Sequence, residues 1–254
     1  MDYIYETHSH TVEASACAGA LGKDYIAYMM EKGYSGMVIT DHFFNGNSCI
    51  PRELPWEEWI AGYCAGYEHA KEAAEGTGFT VLFGVEYNFQ GDEYLLYGID
   101  KAWLLSHPDM LNYTRQQLYE EVHKAGGIMV QAHPYRERNY IQAIHLAPSA
   151  CDGIESYNAA NKDYQNALAY QYAKQRNLPM TGGSDIHHLH DGVLGGVRAS
   201  RPLTTMEAFM EALLGGELIP VSRQKDGRFV DVADLEEQCQ TEQEPTLPVV
   251  WHEE

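Results

Sequence analysis

The chain has 254 residues, 44% of them hydrophobic and 21% charged, which fits one large α/β domain with a substantial buried core. A formal net charge of −20, from 17 basic and 37 acidic side chains, repels polyanions and excludes a broad nucleic-acid surface, though not a small phosphorylated ligand. No apolar run approaches the roughly 20 residues that span a bilayer, and "MDYIYETHSH" lacks the basic start and apolar centre of a signal peptide, so a cytoplasmic location without membrane attachment is expected.

In chain order, "YIYETH" (3–8) reads as a strand, with His8 and His10 on one face and Glu13 just behind. Two imidazoles so placed are either a polar stripe or part of a metal clamp. "GMVITDH" (36–42) is the second strand and ends in Asp41 and His42. The aromatic stretch "FFNGNSCIPRELPWEEW" then leads into a helix with Trp56, Trp59, Ile60, Tyr63 and Tyr67 at helical spacing. "FTVLFGVEY" (79–87) carries Glu86 near its end, and "EYLLYGI" (93–99) is a fourth strand. "TRQQLYEEVHKAGG" opens with a capping-box pattern, Thr114 to Gln117, and stops at Gly126-Gly127.

"GIMVQAH" (127–133) ends in His133, "DGIESYN" (152–158) follows, and "LPMTGGSD" (178–185) ends in Asp185 with His187 two residues on. Residues 159–176 and 204–214 read as further helices. Cysteines 17, 49, 64, 151 and 239 are odd in number and show no CxxC spacing, so reduced, mostly buried thiols are expected. The stretch 231–254 holds eight acidic residues and no Lys or Arg. It reads as part of an acidic extension that Trp251 could anchor, giving a division into 1–222 and 223–254.

Seven strand-like runs alternating with helices predict a parallel sheet closed as a barrel. A doubly wound open sheet is the competitor, but no G-x-G-x-x-G follows the first strand. Carboxylates and histidines recur at the C-terminal ends of these strands, which converge on one mouth in a parallel barrel. Singly, His133 reads as a hydrogen-bonded structural residue, Asp41 as a turn cap and Asp185 as a turn residue. Glu86 is harder to dismiss, because a carboxylate in a barrel mouth is costly to desolvate without a cation or partner. Their common location favours a metal site.

The ordered set H-x-H (His8, His10), T-D-H (Thr40 to His42), G-V-E (Gly84 to Glu86), A-H-P (Ala132 to Pro134) and S-D-x-H (Ser184 to His187) resembles the PHP family, named for polymerase and histidinol phosphatase. The resemblance spans residues 4 to about 222. It implies a distorted (βα)7 TIM-like barrel, two or three divalent ions (Zn, Mn or Fe) and hydrolysis of phosphate esters by a metal-bound water. It further implies that His8, His10, Glu86 and Asp185 hold a first ion, that Glu86 bridges to a second bound by His133, and that His42 and His187 hold a third. At two positions the chain departs from the family pattern, which makes Glu13, Asp100 and His107 additional metal candidates; Asp41, at the strand end beside His42, is another. His188 is the candidate proton donor, and Arg136 and Arg201 the candidate phosphate ligands. The expected substrate is a small phosphorylated metabolite or nucleotide-like ester. Two alternatives stay open: an amidohydrolase-type metal hydrolase, and a non-catalytic metal-binding or regulatory module.

Overall fold

The apolar runs form strands in the computed structural model, which describes residues 2–89, 91–238 and 243–252. The first elements are β1 (Tyr3–Glu6), α1 (Asp24–Glu31), β2 (Gly36–Ile39), α2 (Trp56–Ala74), β3 (Thr80–Asn88) and β4 (Glu93–Tyr97). There follow α3 (Lys101–Ser106), α4 (Arg115–Lys124), β5 (Ile128–Ala132), β6 (Ile144–Leu146), β7 (Gly153–Asn158), α5 (Asp163–Arg176) and β8 (Met180–Gly183). The chain continues with β9 (Leu194–Ala199), α6 (Met206–Leu214), β10 (Ile219–Arg223), β11 (Phe229–Asp231), α7 (Val232–Gln238) and β12 (Val249–Trp251).

Ten strands make one mixed sheet in the order β11-β10-β9-β1-β2-β3-β4-β5-β7-β8. The sheet curls until β8 meets β9, where a Cβ on Gly195 would collide with the Gly183 carbonyl. Only glycine allows that approach. Ser184 Oγ accepts from Gly195 N at 2.8 Å across the seam. The architecture is therefore a mixed α/β fold with a curled sheet, as a distorted TIM-like barrel leads one to expect, but the sheet has ten strands of mixed direction in place of seven parallel ones.

The main departure is β4, which lies antiparallel between β3 and β5. Only four residues, 89–92, separate it from β3, and a parallel return needs a crossover of a dozen or more. Reversal puts the N-terminal end of β4, at Glu93, beside Ala132 at the end of β5. Its other end, leading to Asp100, points away from the mouth. β9 is also reversed: Ala199 pairs with Tyr3 at the start of β1, so the chain leaves this strand at the opposite end of the sheet.

Packing explains how the mouth is held. Trp59 and Tyr63 of α2 stack at 5.4 Å, and Phe43 meets them edge-on at 5.2 and 5.0 Å. Tyr63 Oη donates to the Asp41 carbonyl at 2.7 Å. The buried aromatic face of α2 thus clamps the residues on either side of His42. The capping box of α4 forms as its sequence indicates, with Gln117 N donating to Thr114 Oγ1 and Thr114 N to Gln117 Oε1.

Beyond β10, β11 adds an edge to the sheet, and β12 pairs in parallel with β6. Trp251 packs edge-on against Tyr172 and under Arg176. Cys64 and Cys151 are buried, whereas Cys17 and Cys49 are exposed, which corrects the expectation of mostly buried thiols; Cys239 lies outside the described residues. Among the described residues no helix is long and apolar enough to cross a membrane.

Candidate metal centre

His8 and His10 sit in extended backbone beyond β1, where Ser9 bridges to Ile186. His42 follows β2 and bridges to Glu86 on β3. His133 follows β5, and Asp185 and His187 follow β8. His133 and Asp185 have φ of 28° and 54°, a left-handed region that costs a non-glycine residue roughly 1–2 kcal/mol. Strain of that size persists where surrounding contacts over-determine it, as at functional sites. The third such residue, Asn177, is an ordinary left-handed cap on α5.

These residues meet in one buried cluster. His8, His10 and Asp185 bring ligand atoms within 4.8 Å of one another, as do His8, Glu86 and His133. The same holds for His42, Glu86 and Glu93, and for His10, His42 and His187. His8 Nε2 lies 3.0 Å from Glu86 Oε1, His10 Nε2 lies 3.0 Å from Asp185 Oδ1, and His133 Nε2 lies 3.2 Å from Glu86 Oε1. Two ligands about 2.0–2.1 Å from a shared ion, at angles near 90–110°, stand about 2.9–3.4 Å apart. Moreover, His8 Nε2, His10 Nε2, His42 Nδ1 and Glu86 Oε2 are buried without a hydrogen-bond partner. Short contacts without hydrogen-bond geometry are expected where ligand atoms aim at a common point between them. The donor set therefore fits divalent cations.

The remaining nitrogens are oriented from behind. His8 Nδ1 contacts Glu155 Oε1 at 2.9 Å, and the other oxygen of Glu155 accepts from His133 N at 2.9 Å. His187 Nδ1 donates to the Asp185 carbonyl at 2.8 Å, which leaves Nε2 toward the cluster. A carboxylate or carbonyl behind a ligating imidazole fixes its tautomer and raises its basicity. Arg136 is the neighbouring cation. Its Nη1 pairs with Asp185 Oδ2 at 2.6 Å, Nη2 donates to Asn158 Oδ1 at 2.9 Å, and Nε donates to Asn161 Oδ1 at 2.9 Å. Arg136 therefore positions Asp185, and phosphate contact, the role the sequence suggested, would have to use its remaining N–H groups.

Burial opposes charge throughout the cluster, but the neighbours decide its state. For His8, burial acts downward, yet Glu155, Asp185 and Glu86 hold it well above the ordinary imidazole value. His42 is raised despite burial, chiefly by Glu86, whereas burial and His42 push His10 well below. Glu86 and Asp185 stay well below the usual carboxylate range against their burial, held there by imidazoles and, for Asp185, first by Arg136. Cations bind only neutral imidazole, so loading must displace the protons on His8 and His42. Apparent metal affinity should fall as pH is lowered, with roughly one proton or more released per chain near neutrality. Calorimetry in buffers of different protonation enthalpy checks this; a binding heat independent of buffer would contradict it.

Not every sequence candidate reaches the cluster. Asp41 spends its oxygens on Thr11 N, Thr11 Oγ1 and Ser15 Oγ, and so braces the loop behind His10. Glu13 accepts from Gly22 N and contacts His69. Asp100 caps α3 by accepting from Trp103 N, and His107 stacks on the Trp103 ring at 4.1 Å. Both follow from the reversal of β4, which carries them away from the mouth. Arg201 lies past the far end of β9, where Nε pairs with Glu217 at 3.3 Å on the surface. His188 is exposed at the rim, its ring against Gly19.

Three residues enter that the sequence reading missed. Glu93 places Oε2 3.5 Å from His133 Nε2. Glu155 orients His8, as described. Cys17 lies beside His187 and His42, and although burial acts upward these two imidazoles bring its thiol down to about 6.

A curled α/β sheet with a buried imidazole–carboxylate cluster at one end defines the class: a TIM-like fold with a ligand set suited to divalent cations. A PHP-associated family model matches residues 163–218. No curated protein matches the chain in sequence. Among solved structures, the fold is similar to a two-domain protein from Bacteroides vulgatus that contains a predicted PHP-like metal-dependent phosphoesterase. The TM-score is 0.60 at 14% identity, over 87% of this chain and 64% of that one, so this chain spans under two thirds of that protein. It is also similar to a predicted metal-dependent phosphoesterase from Bifidobacterium adolescentis, with TM-score 0.54, 17% identity and coverage of 84% and 96%. An amidohydrolase from Chromobacterium violaceum has TM-score 0.52 at 14% identity, with coverage of 85% and 97%. The family match and the shared fold together support the PHP family, which the strand-end motifs resemble.

Proposed function

We propose that the chain is a metal-dependent phosphoesterase acting on a small phosphorylated metabolite or a nucleotide-like ester. The observation that carries this reading is Glu86, whose two oxygens face four imidazoles: His8, His133, His10 and His42. A carboxylate so surrounded suits a bridge between neighbouring cations. When bound, two or three divalent ions (Zn, Mn or Fe) would neutralise phosphoryl oxygens and acidify a water.

The chain's own groups supply the rest. Glu155 and the Asp185 carbonyl hold His8 and His187 in fixed tautomers, and Arg136 fixes the Asp185 carboxylate. The role of passing a proton to the leaving oxygen falls in this reading to His188, exposed at the rim. The net charge of −20 supports a small substrate over a nucleic-acid polymer.

Protein purified without added metal, analysed for metal and screened on phosphate monoesters, diesters and cyclic amides, tests the proposal. Expected is phosphate-ester hydrolysis that a chelator abolishes and added metal restores. Turnover of cyclic amides instead would favour the amidohydrolase reading. Bound metal with no turnover of any substrate would favour a non-catalytic module.

A further inference from the structure

The hairpin that reverses β4 brings Glu93 to the buried cluster. Phe89 N donates to Asp92 O at 2.9 Å across the turn, and Glu93 then pairs with Asn88 on β3 and with Ala132, the residue before His133, on β5. Asn88 Nδ2 donates to Glu93 Oε1 at 3.0 Å, and Asn45, in the loop after His42, donates in turn to the Asn88 carbonyl. One oxygen of Glu93 is thereby fixed. The other, Oε2, faces His133 Nε2 at 3.5 Å.

Glu93 and Glu86 each bring an oxygen within 4.8 Å of a nitrogen of His42 and of each other. Their side chains are 15% and 1% exposed, so two carboxylates converge largely out of water. Like charges so placed repel unless a cation or a proton lies between them. At the same point His42 Nδ1 and Glu86 Oε2 stand 2.5 Å apart, and both atoms are buried without a hydrogen-bond partner. A proton can be shared by only two of these three groups, whereas one ion satisfies the unpaired nitrogen and both carboxylates together.

Resting on the metal-centre reading above, we infer that Glu93 is a direct ligand of an ion shared with Glu86 and His42, so that His42 serves this ion in place of the one that the family resemblance assigns to it with His187. The donor set is one imidazole and two carboxylates, whereas His8, His10 and Asp185 offer two imidazoles and one carboxylate. Carboxylate oxygens suit manganese and magnesium, and imidazoles suit zinc. The Glu93 position therefore prefers zinc over manganese less strongly than the position at His8 and His10, and the centre is built to hold unlike ions.

Manganese(II) is the probe. Metal-free protein is titrated with it, and bound ions are counted from the loss of the free-ion electron paramagnetic resonance signal, with circular dichroism confirming the fold of each variant. In Glu93→Gln one manganese per chain should bind at least about tenfold more weakly, since losing even a group that only orients a ligand costs that much. Glu93→His should keep the ion and swing its preference from manganese toward zinc. His187→Ala should hold the same ion as tightly as wild type. Manganese binding unchanged in Glu93→Gln, or metal preference unchanged in Glu93→His, would overturn the assignment of Glu93 and leave the metal centre standing. Loss of the same ion in His187→Ala would overturn the shared donor set by returning His42 to the ion at His187. Wild-type protein that binds neither manganese nor zinc would overturn the inference together with the metal centre.

Discussion

Glu86→Gln should empty the inner part of the centre. The amide keeps the shape of the side chain but loses its charge and turns one oxygen into a donor facing His8, His10, His42 and His133. Losing a group that merely orients a ligand costs about 10–100-fold in metal affinity or activity, so loss of the shared carboxylate should cost at least about a hundredfold. Metal analysis after gel filtration, with turnover measured beside it and circular dichroism confirming the fold, reads the result. A variant with full metal content and full activity would show that Glu86 bridges nothing.

Arg136→Met should give the largest loss of stability. It removes the main charge partner of Asp185, a carboxylate 6% exposed, and leaves it the imidazoles of His8 and His10 in place of the 2.6 Å ion pair with that guanidinium. Breaking a buried pair by removing one partner costs about 3–5 kcal/mol, because the remaining charge is desolvated and uncompensated. Urea denaturation of the metal-free protein measures it. Bound cations would restore part of the missing positive charge, so the gap to wild type should narrow when metal is added. A loss under about 1 kcal/mol would show that Asp185 does not depend on Arg136, since that is the range of exposed pairs.

The sequence made the convergence readable because strand-end position is encoded locally. An apolar run followed by His, Asp or Glu marks both a strand and the end from which it presents chemistry, and His8, Glu86, His133 and Asp185 could be found that way. What stayed hidden was strand direction. The four-residue connection before Glu93 was a visible sign of a hairpin. Read as such, it would have moved attention from Asp100 and His107 to Glu93. Glu155 lay inside a run already read as a strand, where a mid-strand carboxylate is itself a signal, because burying one demands a partner. Cys17 had no such sign. Its position depends on two loops, after β2 and after β8, that only the folded chain brings together. Arg136 was noticed for its charge, but which anion it serves, Asp185 or a substrate phosphate, is a matter of tertiary geometry.

Anomalous scattering from crystals grown with zinc or manganese is the most direct test of the central claim. The account expects density for at least two ions, one among His8, His10 and Asp185 and one between Glu86 and His133. Well-ordered crystals that place metal only at surface carboxylates, with His8, Glu86 and His133 hydrogen-bonded to one another around no ion, would contradict it.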